Sequence, residues 1–92
     1  MEIEFEWDAE KAAGNRRKHG VSFTEAATVF ADALAWTFPD PDHSTGEYRW
    51  LTMGLSSEGK VLVVAHTDRG KRTRLISARL ATRNERRDYE EG

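Results

Sequence analysis

The chain has 92 residues, no cysteine, and a formal net charge of -2 from 14 Lys and Arg against 16 Asp and Glu. At that length one domain over residues 1–92 is expected, near the lower limit at which a hydrophobic core suffices without disulfides or metal, and the lack of cysteine excludes a disulfide framework and a thiolate zinc site. No stretch approaches the ~20 apolar residues that span a bilayer and the acidic start has no signal-peptide run, so a soluble, cytoplasmic protein without a membrane partner is expected.

The chain opens on "IEFEW", in which Ile3, Phe5 and Trp7 alternate with Glu4 and Glu6, the period of a half-buried strand. Asp8 is a suitable N-cap for a short helix over "AEKAAGNRRK", with Ala9, Ala12 and Ala13 as a narrow apolar stripe and His19-Gly20 as its end. Next comes "SFTEAATVF". Ser22 and Glu25 stand at capping-box spacing, and Phe23, Ala26, Ala27 and Phe30 recur at i, i+3, i+4 and i+7, so an amphipathic helix follows.

After Phe30 the pattern turns to β. "ALAWTF" ends at Pro39-Asp40-Pro41. "EYRWLTMGLS" and "KVLVVAHTD" are divided by Ser57-Glu58-Gly59, and Arg69-Gly70-Lys71 leads into "TRLISA", a meander whose short connections require antiparallel neighbours. "RLATRNERRDYEE" holds strong helix formers but only Leu80, Ala81 and Tyr89 to bury, which predicts a polar, peripheral helix. The fold class is α+β: a small antiparallel sheet with two N-terminal helices gathered on one side and a C-terminal helix.

Charge is distributed unevenly. Residues 1–47 carry ten acidic and four basic side chains, residues 48–92 six and ten, and between Arg69 and Arg87 eight Arg and Lys face one acid, Glu85. Such a segment is the footprint of an anion-binding surface, unless its arginines are solvated or paired with carboxylates elsewhere in the fold. Alternation puts Arg72, Arg74 and Ile76 on one strand face opposite Thr73, Leu75 and Ser77, and Glu47, Arg49, Leu51 and Met53 on one face of the strand that starts at Glu47, with His66 ending the strand between them.

Several arginines, a histidine and a carboxylate, with neither cysteine nor a phosphate-cradling glycine loop, suit cleavage of a phosphodiester. RNA brings its own nucleophile, the 2′-hydroxyl. The protein has only to take up that proton, stabilise the phosphorane and protonate the leaving oxygen, so no cofactor and no metal is expected. His43 and Glu47 are candidates for acid and base, and Arg49, Arg74 and Arg79 for forked phosphate contacts. Plainer roles stay open: His43 as a polar loop residue, His19 as a helix terminus, Glu47 and Arg49 as a surface pair, Trp36 and Trp50 as core rather than base-stacking residues. His43, His66 and Asp68 match no metal-ligand spacing.

As an ordered set, "FEWDAEKAAGNRRKHGVSFTEAATVFAD", "DHSTGEYRW", "GLSSEGKVLVVAHTDRG" and "RTRLISARLATRNERRDYE" resemble the BrnT-like toxin family of type II toxin–antitoxin systems over nearly the whole chain. The resemblance implies a RelE-like fold and an RNA endonuclease that arrests translation. It also implies a cognate BrnA-like antitoxin with a DNA-binding domain, whose complex with the toxin binds operator DNA and represses its own operon. The matched positions are Lys18 and His19 in the first block, Asp42, His43, Ser44, Glu47 and Arg49 in the middle, and Arg74, Ser77, Arg79, Glu85 and Tyr89 in the last. With them, Arg69, Lys71, Arg72 and Arg83 are expected to contact RNA. The competing expectation is a non-enzymatic basic module that docks an acidic partner or nucleic acid.

Overall fold

Asp8 begins the helical part of the chain by accepting the backbone N–H groups of Glu10 and Lys11, at 2.7 and 3.2 Å, which also holds its carboxyl below the ordinary range. The computed structural model describes residues 2–40 and 46–92. Its elements are β1 (Glu4–Glu6), α1 (Ala9–His19), α2 (Phe23–Thr28), a 3-10 turn over Val29–Ala31, β2 (Trp36–Pro39), β3 (Trp50–Leu55), β4 (Val61–Arg69), β5 (Arg72–Leu80) and α3 (Arg83–Glu91). This is the anticipated α+β order. Gly20 closes α1 at φ 70°, a left-handed conformation that costs glycine little, and its N–H returns to the Arg16 carbonyl.

The sheet runs β1-β5-β4-β3-β2. The three pairings from β2 through β5 are antiparallel, as the short connections require, but β1 joins β5 in parallel. The expectation of a purely antiparallel sheet is therefore corrected at one edge. No short loop joins β1 to β5, so nothing local dictated their direction; the whole chain lies between them. The strand expected from Glu47 begins at Trp50, with one further ladder bond from the Asp40 N–H to the Arg49 carbonyl at 2.9 Å.

The main core lies under α1 and α2. Phe23, Ala26, Val29 and Val21 pack on Leu62, Val64, Leu75 and Ala78, with Phe5 and Phe30 in edge contact at 5.1 Å. Burying Phe23 alone contributes about 2–3 kcal/mol. The alternate β-residues Val61, Val63 and Met53 point to the opposite face, where Ala81 and Tyr89 cover them. α1 and α2 thus share one side of the sheet, as expected, and α3 packs on the other side. Its apolar content is small, as the sequence indicates, but Tyr89 fixes it by donating from its hydroxyl to Asp32.

Two polar contacts set the geometry of the core. Asn15, buried in α1, donates to the carbonyls of Val21 and Ala78 at 3.0 and 2.8 Å and accepts the Ala78 N–H at 3.0 Å. β1 pairs with β5 only over Arg72–Arg74, so this amide side chain continues the ladder along an edge that would otherwise be unpaired. Glu25, expected to complete a capping box, does not reach back to Ser22. Ser22 caps the Glu25 N–H at 3.0 Å, while the buried Glu25 carboxylate accepts from the Ser56 hydroxyl at 2.7 Å and ties α2 to the β3–β4 hairpin.

Candidate nucleic-acid interface

β5 carries one residue more than β4 between the pairs Ala65–Ser77 and His66–Leu75, so Ile76 forms a β-bulge. Its consequence is the main feature of the site. On β4, Val63, Ala65, Thr67 and Arg69 alternate regularly, and they lie opposite Arg79, Ser77, Arg74 and Arg72 in turn. Cross-strand partners share a face. Arg69, Arg72, Arg74, Ser77 and Arg79 therefore all emerge on the face away from α1 and α2. Strict alternation had put Ser77 opposite Arg72 and Arg74, and the bulge overturns that by shifting the phase between Leu75 and Ser77.

α3 covers one end of this face and leaves the other open. At the open end the arginines meet carboxylates. The parallel register sets Glu6 against Arg74, whose Nη1 donates to it at 2.8 Å, with Arg72 Nη1 at 3.7 Å from the other oxygen. The hydrogen bond from Arg74 is the largest influence holding the Glu6 carboxyl below its ordinary range. Glu47 lies 3.4 Å from Arg69 Nε, both half exposed. Arg79 engages Glu85 through both terminal nitrogens, at 2.7 and 3.0 Å, and that fork lowers the Glu85 carboxyl to about 2. Glu85 also accepts the Thr82 N–H at 2.8 Å while Thr82 caps the Glu85 N–H, a capping box at the start of α3.

Pairing of arginines with carboxylates, the plainer expectation, thus holds for these four arginines, and it sorts them. The Arg69 and Arg72 contacts are long and solvent-exposed, the kind that stabilise little and exchange readily with phosphate. Arg79 has its planar fork committed to Glu85, so a phosphate there must displace a carboxylate that also caps a helix. Arg74 is intermediate, about one quarter exposed beside Glu6.

The remaining expected residues fall in several places. His43, with Asp42 and Ser44, lies outside the described residues. Arg49 is half-buried and, through the extra ladder bond, in phase with Leu51 on the arginine face. Lys71 is exposed in the β4–β5 turn beside Arg72, and Arg83 is exposed at the first turn of α3. Lys18 and His19 end α1, across the sheet from the arginines. Tyr89 is held by Asp32, which raises its hydroxyl to about 12. Asp32 also accepts the N–H groups of Leu55 and Leu34, at 2.8 and 2.9 Å.

His66 does not end its strand. It sits buried in mid-β4, with Nε2 at 2.7 Å from the Thr52 hydroxyl, Phe30 edge-on at 4.9 Å and Nδ1 without a hydrogen-bond partner among the described residues. Burial pushes its pKa down despite the nearby Asp68 charge. Trp50 is half-buried beside Tyr48, their rings stacked at 6.4 Å and 28°. Glu47, Tyr48, Trp50, Thr67 and Asp68 line a pocket of about 340 Å³. Sequence reasoning missed the Asn15 bridge and Tyr48; the matched first block did contain Asn15, but its spacing carried no sign of a strand edge.

Among the described residues no group of three His, Asp or Glu is placed to hold a metal ion, and no helix is long and apolar enough to cross a membrane.

Residues 7–85 match the family model described as ribonuclease toxin, BrnT, of type II toxin–antitoxin system. No curated protein matches the chain. Among solved structures, the fold is similar to that of the Brucella abortus ribonuclease toxin, BrnT, with a TM-score of 0.69 and 22% identity, covering 89% of this chain and 100% of that one.

Proposed function

Because the chain belongs to the BrnT family, the ribonuclease toxins of type II toxin–antitoxin systems, we propose that it cleaves RNA on the open sheet face, using the substrate's own 2′-hydroxyl and no metal. The observation that carries this reading is the bulge at Ile76, which collects Arg69, Arg72, Arg74, Ser77 and Arg79 on one surface. Arg72 and Arg74 hold the scissile phosphate, exchanging Glu6 for phosphate oxygens, and their charge stabilises the phosphorane. Arg49 flanks them from just before β3. Glu47, exposed beside Arg69, takes the 2′-hydroxyl proton as the 2′-oxygen attacks phosphorus. The P–O5′ bond breaks, and His43 in its protonated form supplies the proton to the leaving oxygen.

Arg79 contributes mainly by anchoring α3 against the edge of the site, and joins the phosphate only when Glu85 releases it. Ser77, Lys71 and Arg83 extend the RNA track along the face. Lys18 and His19 reach only RNA that wraps past the sheet edge. In the cell the activity arrests translation.

A BrnA-like antitoxin is the proposed partner, its complex with the toxin repressing the operon. β2 supports a capture surface: it is an edge strand with all four residues exposed, Trp36 and Phe38 among them, and Leu34 and Leu55 add exposed apolar area beside it.

Incubation of purified protein with RNA, beside Arg72→Ala and Arg74→Ala variants, tests the catalytic reading. Loss of a transition-state phosphate contact lowers the rate about 100-fold. Unchanged cleavage in both variants places the chemistry at other residues, and no cleavage by the wild type favours the binding-module alternative.

A further inference from the structure

The pocket next to the arginine face has the opposite character from that face. Its walls are two aromatic rings, Tyr48 and Trp50, and two carboxylates, Glu47 and Asp68, with Thr67 as the remaining side chain. Among the described residues, no basic side chain lines it. A phosphate placed there meets two like charges, whereas a nucleobase meets a ring face to stack on and acceptors for its amino groups. Tyr48 is 74% exposed, too open for a core role, and its ring lies nearly parallel to the Trp50 ring. Its backbone is fixed, since its carbonyl accepts from the Thr67 hydroxyl at 2.6 Å. Glu47 is the shared wall, lining the pocket on one side and pairing with Arg69 on the other.

We propose that Tyr48, backed by Trp50, is a base-stacking platform that seats one nucleobase of a single-stranded RNA while the adjoining phosphates lie on Arg69 and Arg72. This rests on the RNA-cleaving reading above and adds to it a base-holding subsite. Stacking on an exposed aromatic tolerates any base, because every base offers a π-face, and it requires the strand to be unpaired. The platform therefore selects single-stranded RNA and sets which nucleotide is held next to Glu47.

The test uses a 2′-O-methylated oligonucleotide, which cannot be cleaved through its 2′-oxygen, and an abasic oligomer of equal length and charge. Wild-type protein binds the base-bearing oligomer about tenfold more tightly. Tyr48→Ala abolishes that preference while leaving affinity for the abasic oligomer and the salt slope unchanged, and Tyr48→Phe retains it. Arg72→Ala weakens both oligomers alike and lowers the salt slope by about one. Because Tyr48 is exposed, its truncation leaves the circular dichroism spectrum unchanged. A Tyr48→Ala protein that keeps the preference overturns the platform alone. A wild type that binds neither oligomer overturns the RNA reading and the platform with it.

Discussion

Glu6 on the first strand accepts a hydrogen bond from Arg74 on the last, at 2.8 Å, across 68 positions of sequence. The pair exists because β1 enters the sheet parallel to β5 in the register that sets Glu4 against Arg72 and Glu6 against Arg74. In the proposed mode of RNA binding, Glu6 stands where a phosphate oxygen would contact Arg74. Glu6→Gln removes a competing charge from the face, and uncleavable RNA is expected to bind about three- to tenfold more tightly at low salt, with the gain fading as salt rises. Weaker binding by this variant in a fluorescence-anisotropy titration shows that Glu6 orients the arginines rather than competing for them.

Arg79 and Glu85 make a second prediction, for acid stability. The folded Glu85 carboxyl lies at about 2, below its ordinary value of 4.5, chiefly through its hydrogen bond from Arg79. A depressed carboxyl contributes stability that is complete above its unfolded value and disappears as pH falls through the folded one. The contribution is therefore lost between about pH 4.5 and 2. With both side chains partly solvated it amounts to about 1 kcal/mol. Glu85→Gln should lower the urea midpoint at pH 7 and flatten its decline over that acid range.

Asn15 carries a third. Its truncation to Ala leaves the Ala78 N–H and two carbonyls, of Ala78 and Val21, without partners in a buried setting. Thermal or urea unfolding should register a loss of about 3 kcal/mol. A loss below about 1 kcal/mol means that the β5 edge beyond β1 does not depend on the amide bridge.

His66 gives a fourth prediction, in a pH window above that of the carboxylates. Burial lowers its folded pKa below 6.5, so the unfolded chain takes up a proton first and stability falls as pH drops below about 6.5. Comparing urea midpoints at pH 7.5 and 5.5 in wild type and His66→Phe isolates the effect: the wild-type drop should be larger. Equal drops mean that His66 does not become charged on unfolding.

Much of the architecture was legible because it is locally encoded. Asp8, Gly20 and Ser22 mark helix ends through bonds to backbone groups a few residues away, and Phe23, Ala26 and Phe30 report a helix face by spacing. What was not legible depends on partners distant in sequence. The direction of β1 is set by β5, the far-side docking of α3 by Tyr89 on Asp32, and the use of Glu25 by Ser56 rather than by the helix it starts. The arginine face lay between these cases. Its residues were evident from the charge run, but the bulge that joins Arg79 and Ser77 to Arg72 and Arg74 leaves no mark in an alternating pattern, since one inserted residue reads as an ordinary member of the strand.

The central claim, that the open face cleaves RNA through the substrate's 2′-hydroxyl, is tested most directly by offering purified protein an oligoribonucleotide and its fully 2′-O-methylated counterpart in the presence of a chelator. The account predicts cleavage of the first, leaving a 2′,3′-cyclic phosphate end, and none of the second. Cleavage of both, or cleavage that stops when the chelator is added, would contradict it.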